Sequence, residues 1–363
     1  MPDPGPGPIR VALIGYGYAA RTFHAPLIRG VAGLALTVIG SGRPEAEVHE
    51  TAPGTRVIAD PLVAITDPDV DLVVIASPND SHARLAEVAL TAGHHVVVDK
   101  PFTVTLAEAR RLAALSARTG KLLSVFQNRR WDSDFRTIAA ALRGGRLGRL
   151  VQFESRIDRY RPEVRDRWRE RPGAGAGLWF DLGPHLVDQA LLLFGLPHSI
   201  TLHMASQRRA DIAPDWFHAV LSYGAMHAIL SAGCLVSGGS ARFTLHGTEA
   251  SLVKANVDVQ ESQLRAGMPP GDLDWGIDLD AATLIDGATA EFELIAAEDG
   301  DYRQYYEGVR DAILGLAPNP VPPAQAVAVM AALDAGAASA ACGQSLPLAL
   351  TEPEVAAFAE SRG

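Results

Sequence analysis

Gly15-Tyr16-Gly17-Tyr18-Ala19-Ala20 lies between an apolar run over residues 9–14 and a helix predicted over residues 19–29. A strand, a glycine turn and a helix in this order suit the pyrophosphate of a dinucleotide. The first glycine permits the tight turn, the second leaves room for the phosphates, and a small third residue lets helix and strand pack. The helix N-terminus adds N–H donors and a positive dipole end. The alternative is an ordinary glycine-rich turn.

Length, charge and cysteine content narrow the class of protein. The 363 residues suggest two domains, and the net charge of -10 argues against a nucleic-acid partner. Cys234 and Cys342 have neither metal-type spacing nor a disulfide pattern, which favours a reducing cytoplasm. The Pro/Gly-rich residues 1–8 lack the apolar stretch of a signal peptide, and the Ala-rich residues 324–341 predict a packed helix rather than a membrane span.

Hydrophobic patterning predicts two different domains. Strand and helix signals alternate through the first third, with continuous apolar runs at residues 72–75 and 96–98. This pattern predicts an α/β fold whose residues 1–130 form a Rossmann domain, a doubly wound parallel sheet. Consecutive strands with short turns follow, so residues 131–363 are predicted as an α+β domain with a largely antiparallel, open-faced sheet. We expect the open face to join copies of the chain into a homodimer or homotetramer.

The end of the second predicted strand bears on the choice of cofactor. An NAD site usually has an acidic residue there to bind the ribose hydroxyls. No acidic residue occurs between Tyr18 and Pro44, whereas Ser41 and Arg43 follow the strand. A hydroxyl and a guanidinium would bind a 2'-phosphate, so the sequence predicts NADP. The alternative is that Arg43 is only a solvated turn residue.

Two further strand ends carry candidate site residues, because ligands of such sheets bind where the strands end. The fourth strand ends in Ser77-Pro78-Asn79-Asp80-Ser81-His82, which places Asn79 and His82 over the cofactor crevice; the alternative is a turn and helix cap. The fifth ends in Asp99-Lys100-Pro101, where a lysine is costly without a partner or a task. The alternative is that Lys100 extends to solvent.

The second domain offers a candidate acid–base pair in Asp181-Leu182-Gly183-Pro184-His185. Pro184 suits the first position of a helix running to residue 194. His185 then lies in the first turn, where the dipole favours the neutral ring that can accept a proton. Asp181 can orient that ring, although a histidine at a helix start is most often structural.

These motifs occur in the order found in the Gfo/Idh/MocA family of oxidoreductases, which the chain resembles over nearly its whole length. The resemblance implies that Lys100, Asp181 and His185 are catalytic and contact the substrate. Asp99 stands where the family usually has glutamate. The resemblance also implies cofactor contacts, for which the predicted residues are Gly15, Tyr16, Gly17, Tyr18, Ala19, Ser41, Arg43, Ser77, Asn79, His82, Asp99, Lys100, Asn128, Trp168 and Arg169.

Within that family, three segments are similar to the NADP-dependent scyllo-inositol dehydrogenases: residues 22–28, 128–132 and 165–170. This similarity implies that Trp168 and Arg169 contact the cofactor, that Asn128 lies by the nicotinamide and that Tyr302 lines the substrate pocket. It also implies hydride exchange between a cyclitol and its ketone. From the residues alone, the seven arginines and four acids of residues 156–171 indicate a solvated edge.

Two rival functions remain open at this point. The first is an NADP-dependent reductase of the same family acting on another sugar, keto-sugar or dihydrodiol. The second is an NADP-sensing regulator without turnover, although retention of Lys100, Asp181 and His185 argues against it. No metal is expected, because His82, His94 and His95 lack a convincing ligand spacing.

Overall fold

A computed structural model describes residues 7–362, except for the side chain of Trp168. Most of the predicted N-terminal tail, residues 1–6, lies outside the described residues. The chain forms two compact units, each built from separate stretches. The first unit comprises Met1–Asn128, Gln260–Trp275 and Asp301–Ala326, and the second comprises Arg129–Val259, Gly276–Gly300 and Val327–Gly363.

The first unit contains a six-stranded sheet in the order β3-β2-β1-β4-β5-β6, with every neighbouring pair parallel. The central strands are continuous apolar runs because both faces of the sheet are covered. The doubly wound Rossmann arrangement predicted from the sequence is confirmed. Its strands are β1 Ile9–Ile14, β2 Leu34–Gly40, β3 Arg56–Ile58, β4 Leu72–Ile75, β5 His95–Val98 and β6 Leu123–Val125.

The second unit contains an eight-stranded sheet in the order β14-β13-β12-β11-β7-β10-β9-β8. Its neighbours are antiparallel apart from β7 and β10, so the predicted largely antiparallel sheet is confirmed. Its strands are β7 Leu150–Arg156, β8 Ser199–Ala205, β9 Trp216–Tyr223, β10 Met226–Gly233, β11 Phe243–Gly247, β12 Ala250–Lys254, β13 Ala282–Asp286 and β14 Phe292–Ile295.

The α-helices are numbered along the whole chain. They are α1 Ala25–Arg29, α2 Glu45–His49, α3 Pro61–Ile65, α4 His82–Thr91, α5 Leu106–Thr119, α6 Ser133–Arg143, α7 Leu178–Asp181, α8 Gly183–Phe194, α9 Gln260–Arg265, α10 Arg303–Ile313, α11 Pro323–Cys342 and α12 Glu352–Ser361. In the second unit α6, α7 and α8 pack on the sheet, and burial alternates along β9. The other face of the sheet therefore carries half-exposed side chains.

The helix predicted over residues 19–29 differs in its first turns. Ala20–His24 is π-helical, and α1 begins only at Ala25, whose N–H donates to the Ala20 carbonyl. Pro26 follows and has no N–H to offer the preceding turn. The shift of hydrogen-bond register beside a proline explains why this segment is not one regular α-helix.

Two segments that the sequence-based division assigns to the second domain lie in the first unit. Within that unit, Tyr305 and Tyr306 of α10 pack on Phe126, with ring centroids 5.0 and 5.8 Å apart. The Tyr305 hydroxyl also donates to Ser124 Oγ at 3.0 Å. These contacts join residues about 180 positions apart, so the hydrophobic periodicity of a local segment cannot predict them.

Helix α11 is long and apolar enough to cross a membrane by composition. About two thirds of its most apolar window, 67%, is buried inside the protein. That burial is typical of a core helix, as the sequence predicted for this Ala-rich stretch.

Candidate active site

The glycine turn after β1 has the two properties that a dinucleotide requires. Gly15 has φ +87°, and a Cβ there would lie 2.9 Å from backbone atoms of Ala76 and Ser77. A side chain is therefore excluded on this side by the end of the neighbouring strand. A Cβ on Gly17 would meet no atom within 4 Å, so the turn opens onto space at this position. The turn fits a pyrophosphate that approaches the backbone closely.

The tyrosines of the turn point to different surroundings. Tyr16 is buried, and its hydroxyl shares a 2.7 Å hydrogen bond with Thr51, so the phenol anchors the turn. Tyr18 is 50% exposed, and its hydroxyl donates to Glu261 at 2.9 Å. Ala19 precedes the π-helical segment and is partly buried. Cofactor contacts in this turn are accordingly expected from the backbone and from Tyr18.

Ser41 and Arg43, the predicted 2'-phosphate residues, lie after β2 as expected. The Arg43 N–H donates to Ser41 Oγ at 3.2 Å, and the Arg43 guanidinium pairs with Glu47 of α2. Arg21 lies 3.9 Å from the same carboxylate. One acid therefore stands between two guanidinium groups, and a 2'-phosphate here would have to share Arg43 with Glu47.

His82, a predicted cofactor contact, is buried after β4. Its Nδ1 lies 2.9 Å from the Pro101 carbonyl oxygen and its Nε2 lies 2.9 Å from the Ser77 carbonyl oxygen. Burial lowers the pKa of the His82 ring. The neutral ring carries one N–H, so it donates to one of these two carbonyls and packs against the other. Asn79 is also buried, at the start of a 3₁₀ turn, and Ser77 Oγ shares a 2.6 Å hydrogen bond with Ser81.

Lys100 follows a buried polar chain at the end of β5. Its N–H donates to Asp99 Oδ1 at 2.8 Å, and this oxygen lies 3.9 Å from His24 Nε2. The His24 Nδ1 is 2.6 Å from the Tyr306 hydroxyl. Although burial acts to raise the pKa of Asp99, the His24 ring and the charge of Lys100 lower it overall. Asp99 is therefore held as a carboxylate directly beside the candidate catalytic lysine.

Tyr302 and Asn128 both belong to the first unit. Tyr302 lies just before α10, and its ring packs edge-on against Phe23 at 6.2 Å and Trp275 at 6.5 Å. Tyr302 has no exposed surface. Close aromatic packing holds the ring in place. Asn128 is buried and begins a 3₁₀ turn.

In the second unit, Asp181 and His185 occupy consecutive helices. Asp181 ends α7, and Leu182 is the only residue between α7 and α8. His185 lies in the first turn of α8 and is buried. The prediction that this helix ends at residue 194 is confirmed. Arg169 lies 3.5 Å from the Asp181 carboxylate, so its observed partner is a candidate catalytic residue. The prediction for the Trp168 side chain lies outside the described residues.

Helix α8 is anchored by buried polar contacts that the sequence analysis assigned to no role. Arg130 binds both carboxylate oxygens of Asp188, at 2.8 and 2.6 Å. Gln189 donates to the Arg129 carbonyl at 2.9 Å and accepts from Arg242 at 2.8 Å. Because Asp188 lies one turn after His185, these contacts set the orientation of the helix that carries the candidate base.

His24 is a second residue that sequence reasoning left without a role. It lay within a segment singled out for its similarity to known dehydrogenases, but its partners are distant in sequence. Tyr306 is 282 residues away. The only hint in the sequence was a histidine near the start of a predicted helix. The pattern alone does not distinguish a histidine with a role in the site from one that simply packs in the core. Within residues 7–362, no cluster of three metal-ligating side chains occurs.

Comparison with known proteins identifies relatives along the whole chain. The profile for the oxidoreductase family NAD-binding Rossmann fold matches residues 9–127, and that for the family's C-terminal alpha/beta domain matches residues 139–350. The uncharacterized oxidoreductase YdgJ of Escherichia coli is 48% identical over 94% of this chain and 99% of its own.

Two further relatives add an activity and a fold. The NADP(+) scyllo-inositol 2-dehydrogenase IolW of Bacillus subtilis is 36% identical over 90% of this chain and 92% of its own. A crystal structure of an oxidoreductase from Klebsiella pneumoniae is 50% identical, covers 99% of this chain and 100% of its own, and superposes with a TM-score of 0.93. The chain therefore belongs to the Gfo/Idh/MocA family of oxidoreductases, with an NAD(P)-binding Rossmann domain.

Proposed function

We propose that this protein is an NADP-dependent dehydrogenase that interconverts a cyclitol, scyllo-inositol, and its ketone by hydride transfer. The observation that carries the proposal is the retention of Lys100, Asp181 and His185 at a strand end and on two consecutive helices. The 36% identity to a scyllo-inositol 2-dehydrogenase supports the substrate class. The acid-free stretch before Arg43 supports NADP over NAD.

Each of the three residues has a distinct task in the proposed reaction. His185 takes the proton of the substrate hydroxyl as the carbinol carbon is oxidised, and Asp181 orients and supports the imidazole. Lys100 stabilises the developing alkoxide by its charge. In the reverse direction His185 returns the proton to the carbonyl oxygen.

The chain's own groups hold the cofactor in this proposal. The backbone at Gly15 and Gly17 receives the pyrophosphate, and Ser41 with Arg43 receives the 2'-phosphate. The nicotinamide ring supplies the hydride acceptor or donor when the cofactor is bound. Asp99, held as a carboxylate by His24, keeps a negative charge beside Lys100.

The test is a spectrophotometric assay with scyllo-inositol or myo-inositol and NADP, with NAD in parallel. We expect NADPH to form with at least one cyclitol and more slowly, if at all, with NAD. A screen of keto-sugars, sugars and dihydrodiols with NADPH separates the rival reductase functions. Absence of turnover with every substrate, together with tight NADPH binding, would favour the regulator and overturn the proposal.

A further inference from the structure

The second unit contains a small cavity with an unusual concentration of arginines. Its volume is about 60 Å³, and Asp181 and Cys234 contribute to its wall. The guanidinium groups come from a segment predicted to be a solvated edge and from one residue beyond β8. They belong to Arg159, Arg161, Arg165, Arg167, Arg169 and Arg208.

Backbone pairing explains why two of these side chains converge. The Arg159 N–H donates to the Gly233 carbonyl at 2.9 Å, and the Arg161 N–H donates to the Cys234 carbonyl at 2.7 Å. The segment is therefore extended along the end of β10. Alternate residues of an extended segment share a face, so Arg159 and Arg161 point to the cavity, while Tyr160 between them is 61% exposed.

Two of the six arginines form ion pairs with carboxylates of the protein. The buried Arg208 binds Asp215 at 2.6 Å and Glu170 at 3.1 Å, and Arg169 lies 3.5 Å from Asp181. The remaining lining arginines face a single further acid, Glu163, whose side chain is exposed. Within residues 7–362, the ion pairs include none made by the guanidinium groups of Arg159, Arg161, Arg165 and Arg167, although the Arg165 backbone N–H donates to Glu170 at 2.9 Å.

This surplus of positive charge is unfavourable, because the guanidinium groups repel one another. Burial lowers the pKa of Arg161, and the neighbouring Arg159, Arg165 and Arg167 lower it further. A bound anion would offset both costs, because it pairs with the desolvated guanidinium and screens the others. The planar guanidinium fork matches carboxylate and phosphate oxygens in particular. A volume of about 60 Å³ suits one such group rather than a nucleotide.

We propose that this cavity binds an oxyanion, the phosphate or carboxylate group of a ligand of the enzyme, with Arg161 as its central donor. The group belongs to an acidic sugar or sugar phosphate that the enzyme would accept beside the neutral cyclitol, because the phosphates of the cofactor are already assigned to the glycine turn and to Ser41 with Arg43. Because Asp181 lines the cavity, occupancy places negative charge near a residue assigned to proton transfer. The inference goes beyond the proposed function, and only its second test rests on that function, because the first test needs no turnover.

The first test is calorimetric titration of the cofactor-free protein with inorganic phosphate in a low-salt buffer of monovalent ions. We expect saturable binding that weakens at least tenfold in Arg161→Gln. Arg171→Gln is the matched control, because Arg171 pairs with Asp166 and does not line the cavity. Arg161→Lys should bind with intermediate affinity, since it keeps the charge without the fork. No saturable binding in the wild type, or equal loss in both glutamine variants, would overturn the inference.

The second test asks which ligand supplies the oxyanion. If the cofactor supplied it, phosphate would compete with NADP and Arg161→Gln would weaken NADP binding, and this result would overturn the assignment to an acidic substrate. If the substrate supplies it, phosphate leaves NADP binding unchanged and competitively inhibits turnover of an acidic sugar or sugar phosphate. Phosphate that competes with neither ligand marks an adventitious anion and overturns the inference. Failure of every polyol assay would overturn the proposed function and leave the phosphate titration unaffected.

Discussion

The Lys100 ammonium is the charge on which the proposed chemistry depends, and its surroundings are built mainly from buried groups. Asp99, His24 and Tyr306 form a connected series behind it, with hydrogen-bond or ion-pair distances between 2.6 and 3.9 Å. A carboxylate held in this way fixes the backbone at Lys100 as well as the local charge. The series therefore positions the lysine without contacting the substrate.

Replacing this ammonium should separate chemistry from binding. We expect Lys100→Ala to lower kcat at least about 100-fold, because an alkoxide loses its stabilising charge. The dissociation constant for NADP, measured by fluorescence titration, should change little. Lys121→Ala is the matched control, since Lys121 is also half-buried in the first unit but does not follow a strand end in the crevice. Turnover near the wild-type rate in Lys100→Ala would contradict the assigned role.

The Arg43–Glu47 pair should control the preference for NADP over NAD, with Arg43 strengthening NADP binding and Glu47 weakening it. Arg43→Ala removes a charge-assisted contact and should weaken NADP about tenfold while leaving NAD largely unchanged. Glu47→Gln removes a carboxylate that would repel the 2'-phosphate, so it should strengthen NADP binding. Arg56→Ala, which breaks a pair with Asp67, serves as the control. Equal loss of NADP and NAD affinity in Arg43→Ala would exclude Arg43 from the phosphate site.

At the scale of elements, α8 depends on an ion pair with little solvent exposure. The Arg130 and Asp188 side chains are 8% and 3% exposed. Removing one partner leaves a buried charge without compensation, so Arg130→Ala should lower the free energy of unfolding by about 3–5 kcal/mol. It should also lower kcat through misplacement of His185. The apolar double variant Arg130→Met with Asp188→Leu should recover much of the stability, as followed by urea denaturation.

Strand β5 begins with a histidine that makes the first unit sensitive to acid. Burial and then the charge of Lys121 lower the pKa of His95 to about 4, while its Nδ1 accepts the Leu122 N–H at 3.0 Å. In the unfolded chain the His95 ring has a pKa near 6.5, so it binds a proton at a pH at which the folded ring is still neutral. Stability is therefore lost as the pH falls from about 6.5 to about 4.

The check is urea denaturation of wild type and His95→Asn across this pH range. Asparagine can still accept the Leu122 N–H, so we expect the variant to show a flatter dependence of stability on pH. His227→Asn, at an exposed position of β10, is the control and should follow the wild type. Parallel curves for His95→Asn and wild type would contradict the assignment.

Elements with strong local patterns were predictable, and those fixed by distant contacts were not. The buried runs of β4 and β5 follow from hydrophobic pattern alone. The short β3 and the exposed β14 carry no such pattern and were not predicted. In the site, the glycine turn and Lys100 were recognisable from spacing. The burial of His82 and the arginine cavity could not be predicted, because they depend on contacts between residues that are distant in the sequence.

For the whole molecule, we expect a homodimer or homotetramer through the open face of the second sheet. Val220 lies half-exposed on this face, between Thr201 of β8 and Ile229 of β10. Val220→Glu would place a new charge at the expected interface and should reduce the mass measured by light scattering to that of one chain. Leu316→Glu, at an exposed position of the first unit, is the control. A wild-type mass equal to one chain would contradict the expectation.

The discontinuous first unit has a consequence for biosynthesis. Its last segment follows the second sheet, so a ribosome must synthesise all eight strands of that sheet before Tyr305 and Tyr306 can cover Phe126. Until then the nascent nucleotide-binding unit presents an apolar surface to its surroundings, which favours chaperone binding and aggregation. A premature stop after the second sheet would thus deprive the cell of both halves of the enzyme, because the first would never be completed.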